Sequence, residues 1–166
     1  MAAVAPGSAS PVHTPPGQGR ALNVLGELVH VKVSAKDSAG ALSIFEITSP
    51  PGSGPPLHVH TREDEAYVVL EGEYHFQIGD QRIRAGRGAT LFSPRNTPHT
   101  FSNMTDRPAR LLVMTTPGGF ENFFLDIHNA AASGPISPDH AARIIEAHGM
   151  RVLGPPLAAT SVGTKA

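Results

Sequence analysis

An all-β fold, an antiparallel sandwich or barrel followed by two short helices, is the fold class that this sequence predicts. Three observations carry that reading. Short β-type runs recur at close spacing between Ala21 and Thr116, each broken by turn residues. Within runs such as Tyr74-His75-Phe76-Gln77-Ile78, apolar and polar residues alternate with period two, the signature of a half-buried strand. No strand-helix-strand rhythm and no internal repeat competes with this pattern.

The elements follow in order. Residues 1–19, MAAVAPGSASPVHTPPGQG, offer little apolar surface to offset the entropy of ordering them and read as a flexible tail. They lack the basic and apolar regions of a secretory signal. Strand candidates then lie at 28–33, 41–48, 57–60, 65–70, 74–78, 81–83, 89–93, 99–103 and 109–115. Pro/Gly-rich or Asp/Gly turns separate them, notably at 50–56, 79–80, 86–88 and 94–98. The run 65–70 is apolar on both faces, with Ala66, Val68 and Leu70 on one and Tyr67 and Val69 beside Glu65 on the other. That pattern predicts cover on both sides, and a glutamate leading such a strand needs a partner.

After Pro117-Gly118-Gly119 the period changes. Phe120, Phe123, Phe124 and Ile127 recur at helical spacing, and plain core packing is the preferred reading of this stripe over a cofactor or substrate role. A second helix opens with Ser137 as N-cap and Pro138 at its first position, and stops at Gly149. The division is therefore a barrel over residues 20–116, a helical extension over 117–157 and a flexible tail over 158–166.

Composition narrows the chemistry. A chain of 166 residues can bury one substantial core. The net charge of -1, with 16% charged residues, carries no electrostatic footprint of a nucleic-acid binder. No apolar run reaches membrane-spanning length, which leaves a cytoplasmic protein as the default expectation. With no cysteine, any metal must be held by nitrogen and oxygen ligands.

The segment PPLHVHTREDEAYVVLEG is where such ligands gather. In a strand, His58 and His60 project from the same face, so both imidazoles can address one point. On its own, the pair reads first as solvent-facing polarity, with metal binding as the lesser reading. A short turn through residues 61–64 would bring Glu65 beside the pair, and His99 in SPRNTPHTFSN begins a further strand. Together they are four potential ligands suited to a divalent transition metal. Glu63 and Asp64 are rival carboxylates, read here as part of a solvated turn with Arg62. His75, on the polar face of its strand, Tyr67, sharing parity with Glu65, and Phe101, sharing a face with His99, are candidate pocket residues. Exposed or core roles are the ordinary reading of all three.

These residues resemble the two motifs of the cupin superfamily. Gly52, His58, His60, Glu65 and Gly72 match G-x5-H-x-H-x4-E-x6-G at every fixed position. Gly88, Pro94, His99 and Asn103 follow G-x5-P-x-G-x2-H-x3-N, with Asn96 where glycine is usual. Asparagine tolerates positive φ, so the turn is kept. The segment PGGFENFF with its helical tail is similar to single-cupin proteins grouped with quercetin 2,3-dioxygenases. The resemblance implies a double-stranded β-helix, a jelly roll, holding one divalent transition metal (iron, manganese, nickel, cobalt, copper or zinc) on His58, His60, Glu65 and His99. It further implies an oxygenase that uses O2 on a small enolisable or phenolic substrate, with Glu65 as proton acceptor. A non-oxidative isomerase, cyclase, decarboxylase or lyase, or a non-catalytic binding module, are its alternatives. A homodimer paired through sheet faces is also implied.

Overall fold

The computed structural model describes residues 9–160; residues 1–8 and 161–166 of the two expected tails lie outside the described residues. Eleven strands and three helices follow one another: β1 Arg20–Val24, β2 Glu27–Val33, β3 Ser43–Ser49, β4 Pro56–His60, β5 Asp64–Glu71, β6 Glu73–Ile78, β7 Gln81–Gly86, β8 Thr90–Ser93, β9 His99–Asn103, β10 Ala109–Thr116, α1 Glu121–Ala132, α2 Pro138–Ala147, β11 Met150–Pro156 and α3 Leu157–Thr160. Two antiparallel sheets face each other, one ordered β1-β2-β3-β10-β5-β8 and the other β11-β4-β9-β6-β7. This is the double-stranded β-helix.

Period-two alternation does the sorting. In β10, Ala109, Leu111, Val113 and Thr115 are buried while the residues between them face outward. Phe45, Val69, Phe76 and Leu111 meet between the sheets, each at most 1% exposed, and each contributes about 1.5–3 kcal/mol by burial. In β5 the inner row is Glu65, Tyr67 and Val69; Ala66, Val68 and Leu70 are half-buried within the single chain.

The chain differs from its sequence reading at both ends of the barrel. Part of the N-terminal segment is held to the barrel: Ser10 N donates to Asp37 O (2.9 Å), Thr14 Oγ1 to Lys32 O (2.7 Å), and Lys32 Nζ to the carbonyls of Pro15 (3.2 Å) and Gln18 (2.7 Å). Residues 20–24 form an extra strand paired with β2, burying Leu22 and Val24. The extension over 117–157 is not helical throughout, because Met150–Pro156 returns as β11 along β4. Its prolines concealed it from a strand reading, and an edge position is where a sheet tolerates them. Ser137 does cap α2, its side chain accepting from His140 N at 3.3 Å. Among the described residues, no helix is long and apolar enough to cross a membrane.

Two local features position the site. Between β4 and β5 the chain passes from one sheet to the other through residues 61–63, which sets Glu65 across from the histidines of β4. The turn before β9 needs one left-handed residue, and Asn96 supplies it with φ 64°, its N–H bonding to His60 O at 2.7 Å.

Candidate metal centre

His58 and His99 are directly opposed in the pairing of β4 with β9. His60 lies two residues along β4 on the same face, and Glu65 reaches over from the facing sheet. One ligand atom from each of His58, His60, Glu65 and His99 falls within 4.8 Å of all the others, and all four side chains are buried.

The imidazoles are oriented by what their outer nitrogens touch. Nδ1 of His58 bonds to Pro56 O (2.8 Å), Nδ1 of His99 to Thr97 O (2.8 Å), and Nδ1 of His60 to Glu63 Oε2 (3.3 Å). Each acceptor requires a proton on Nδ1, so Nε2 of His58 and of His60 presents its lone pair inward, while Nε2 of His99 faces the Glu65 carboxylate and must give up a proton before it can bind a metal. The result is a repulsive arrangement if nothing is bound: Nε2 of His58 and Nε2 of His60 face each other at 3.0 Å. A cation between them removes that conflict, and donors fixed in this way are what a metal site requires. The residues present therefore fit a divalent transition metal.

Glu65 is the anionic member. Its Oε2 accepts from Tyr67 Oη (2.6 Å), lies 2.8 Å from Nε2 of His99, and lies 3.7 Å from Nε2 of His60. Burial alone would raise this carboxyl, but its electrostatic interaction with His60 and the hydrogen bond from His99 outweigh it and hold Glu65 well below the usual carboxylate range. His58 is pulled the other way: burial, then the neighbouring His99 and His60, bring it down to about 3, so it stays neutral. Burial opposes a proton on His99, yet the bond to Glu65 and its charge raise that group. Tyr67 remains a neutral donor, raised by burial and by Glu65.

The two rival carboxylates have structural duties. Glu63 is not in a solvated turn: it is 8% exposed and holds His60 from outside the cluster. The motif spacing singled out Glu65 over Glu63, and nothing in the sequence marked Glu63 as the partner of His60. Asp64 opens β5 and grips Arg95, accepting from its backbone N (2.8 Å), Nε (3.0 Å) and Nη2 (2.9 Å). This clamp ties the turn before His99 to the strand of Glu65.

A cavity of about 310 Å³ opens beside the cluster, walled by Phe101, Phe120, Phe123, Phe124 and Met150 and reached by His58, His60 and Glu65. The volume lies within the range of small-molecule sites. Phe120 packs on the ring of His60 with centroids 4.6 Å apart, so the aromatic stripe is core and also cavity wall. Of the candidate pocket residues, Phe101 lines the cavity and Tyr67 is not among its walls but bonds Glu65 instead. His75 must be corrected. Tyr74 and Phe76 take the inner face of β6, which turns His75 outward, 40% exposed and 3.6 Å from Glu73.

Residues 45–115 match the cupin domain family. The uncharacterized protein MJ1618 of Methanocaldococcus jannaschii is 31% identical over 75 residues, which are 45% of this chain, and the chain spans 60% of the length of that relative. Among solved structures, KdgF from a Halomonas species superposes with a TM-score of 0.58 at 15% identity, covering 70% of this chain and 98% of its own. The polyketide cyclase RemF from Streptomyces resistomycificus gives a TM-score of 0.55 at 22% identity, covering 63% and 78%. The matched segment, both histidine motifs and the shared double-stranded β-helix support placing the barrel of this chain in the cupin superfamily.

Proposed function

We propose that this protein is a metal-dependent cupin oxygenase acting on a small enolisable or phenolic molecule. The observation that carries the reading is the juxtaposition of the His58–His60–Glu65–His99 cluster with an apolar cavity. Three histidines and a carboxylate would hold a divalent transition metal with one or two positions open. Bound there, it would supply Lewis acidity toward a substrate hydroxyl and a redox route to O2.

The chain's own residues do the rest. Glu65 Oε2 is held by Tyr67 and His99, and although these contacts keep it a weak base, it is the carboxylate placed to take the hydroxyl proton of a substrate seated at the cluster, a proton that a bound metal would acidify. Tyr67 holds that carboxylate in orientation. Phe120, Phe123 and Phe124 exclude water from the reacting end of the cavity. His60 is kept in register by Glu63 and Phe120.

Oxygen uptake by the metal-loaded chain with a panel of flavonols, β-diketones and catechols tests this reading. Uptake with at least one class, and product masses raised by oxygen atoms, are the expected results. No uptake with any class overturns it. The likeness to RemF is one of fold, and a product of unchanged mass would favour a non-oxidative reaction at the same centre.

We also propose that the chain forms a homodimer. The outer face of the six-stranded sheet carries an apolar row of Phe92, Ala66, Met114 and Ile44, with Phe92 58% exposed. Light scattering should give twice the chain mass, and Phe92→Asp should halve it.

A further inference from the structure

The cavity holds a second acidic side chain that the chemistry above does not use. Glu27, at the start of β2, lines the cavity together with His58, His60 and Glu65. Its Oε1 accepts from Ser49 Oγ (2.6 Å) and Ser53 Oγ (3.2 Å). Its Oε2 has no hydrogen bond, and the carboxylate has no ion pair, among the described residues. Burial pushes this carboxyl upward, against the two serine hydroxyls that pull it down. One oxygen is satisfied by the serines and the other stays open to the cavity, where water or the hydroxyl of a ligand can supply its donor.

The frame around Glu27 is built into the strand that carries His99. Gly52 N bonds to Asn103 O (2.7 Å), and Asn103 N (2.9 Å) and Ser102 Oγ (3.0 Å) both bond to Ser53 O. Asn103 Nδ2 donates to Ser49 O at 2.9 Å, which fixes the other serine. Gly54 lies so close to β9 that a Cβ there would stand 1.9 Å from Phe101 O, so this wall admits no side chain and no slack. Glu27 and the histidine cluster are thus two polar stations in one apolar cavity, and the serines that hold Glu27 are tied to the same strand, β9, that carries His99.

We propose that Glu27 determines specificity: the cavity takes an apolar, ring-bearing molecule that puts oxygen atoms at the His58–His60–Glu65–His99 end and a hydrogen-bond-donating hydroxyl at Glu27 Oε2. The assignment rests on the cluster being a substrate-binding metal centre, and it adds the class of substituent at the other end. Neither cupin motif includes Glu27, and its partners Ser49 and Ser53 lie in a stretch that reads as strand end and loop.

The test is binding of 3-hydroxyflavone, its 4′-hydroxy and 7-hydroxy derivatives and their methyl ethers to the metal-loaded full chain, followed by ligand fluorescence. One hydroxylated probe should bind about tenfold or more tighter than both the parent and its methyl ether, the discrimination of one hydrogen bond to a charged acceptor. Glu27→Leu and Glu27→Gln should both erase that preference with metal content unchanged. Leucine removes the acceptor, and glutamine keeps the size and the serine contact should leucine unfold the chain. No preference in the parent protein, a preference that survives both substitutions, or no binding of any probe overturns the assignment. Oxygen uptake in the same samples reads separately: a Glu27-dependent preference without uptake keeps Glu27 and removes the oxygenase reading, and uptake without preference does the reverse.

Discussion

The strands that carry His58, His60, Glu65 and His99 and the C-terminal segment that carries Phe120, Phe123 and Phe124 meet across one cavity, but they reach it by different physics. The first region buries four polar side chains, and each is held by a named partner: Pro56 O, Glu63, Tyr67 and Thr97 O. The second buries aromatic rings that pack on one another and on Phe45, with Phe45 and Phe124 at 5.0 Å and Phe120 and Phe123 at 5.2 Å. Directional bonds fix where a cation can sit. Non-directional packing fixes what shape remains for a substrate. Changes on the polar side should therefore remove metal and leave the fold, while changes on the aromatic side away from the Phe120–His60 contact should weaken the fold and leave metal.

His99→Ala gives the largest break. Elemental analysis should find stoichiometric metal in the parent protein and none in this variant, with the β-sheet circular dichroism unchanged. Phe124→Ala should do the opposite: a loss of about 3–5 kcal/mol in denaturant unfolding, with metal content retained. If Phe124→Ala instead loses metal stoichiometrically, the two regions are not separable.

Glu63→Ala is a finer probe, because it removes only the partner of His60 Nδ1 and leaves all four ligands in place. Metal affinity measured by competition with a chelator should fall about 10–100-fold, the usual effect of losing such a partner. The pH dependence is smaller and has a definite sign. The raised His99 keeps its proton below a folded-state pKa that lies above the ordinary 6.5, and a metal must displace that proton. Affinity should rise as pH climbs through that range and level off above it. His58 takes no part, since it is neutral down to about 3. An affinity that is flat from pH 6 upward would show that no proton leaves His99.

The same contrast explains what was legible in the sequence. The ligands lie at fixed spacings on strands whose alternation is plain, so His58, His60, Glu65 and His99 could be placed on one centre from motif and parity alone. Parity also carried the signal that His75 points away: Tyr74 and Phe76 are the apolar members of that strand and claim its inner face. Glu63 was hidden because a carboxylate among charged turn residues looks solvated, and only the sheet-to-sheet crossing at 61–63 turns it onto His60. β1 escaped notice because an inner face of only Leu22 and Val24 is too short a pattern to stand out. β11 was obscured by Gly154, Pro155 and Pro156, whose tolerance depends on an edge position that no local pattern announces. The double role of Phe120, Phe123 and Phe124 was equally out of reach, since helical spacing reports that a face is buried and not what it is buried against.

Anomalous diffraction from crystals of the manganese- or iron-loaded chain, recorded at the absorption edge of the metal, addresses the centre most directly. One peak per chain is predicted, within bonding reach of Nε2 of His58, His60 and His99 and of the Glu65 carboxylate. A peak elsewhere, or density showing any of these four side chains turned away from a common point, would contradict it.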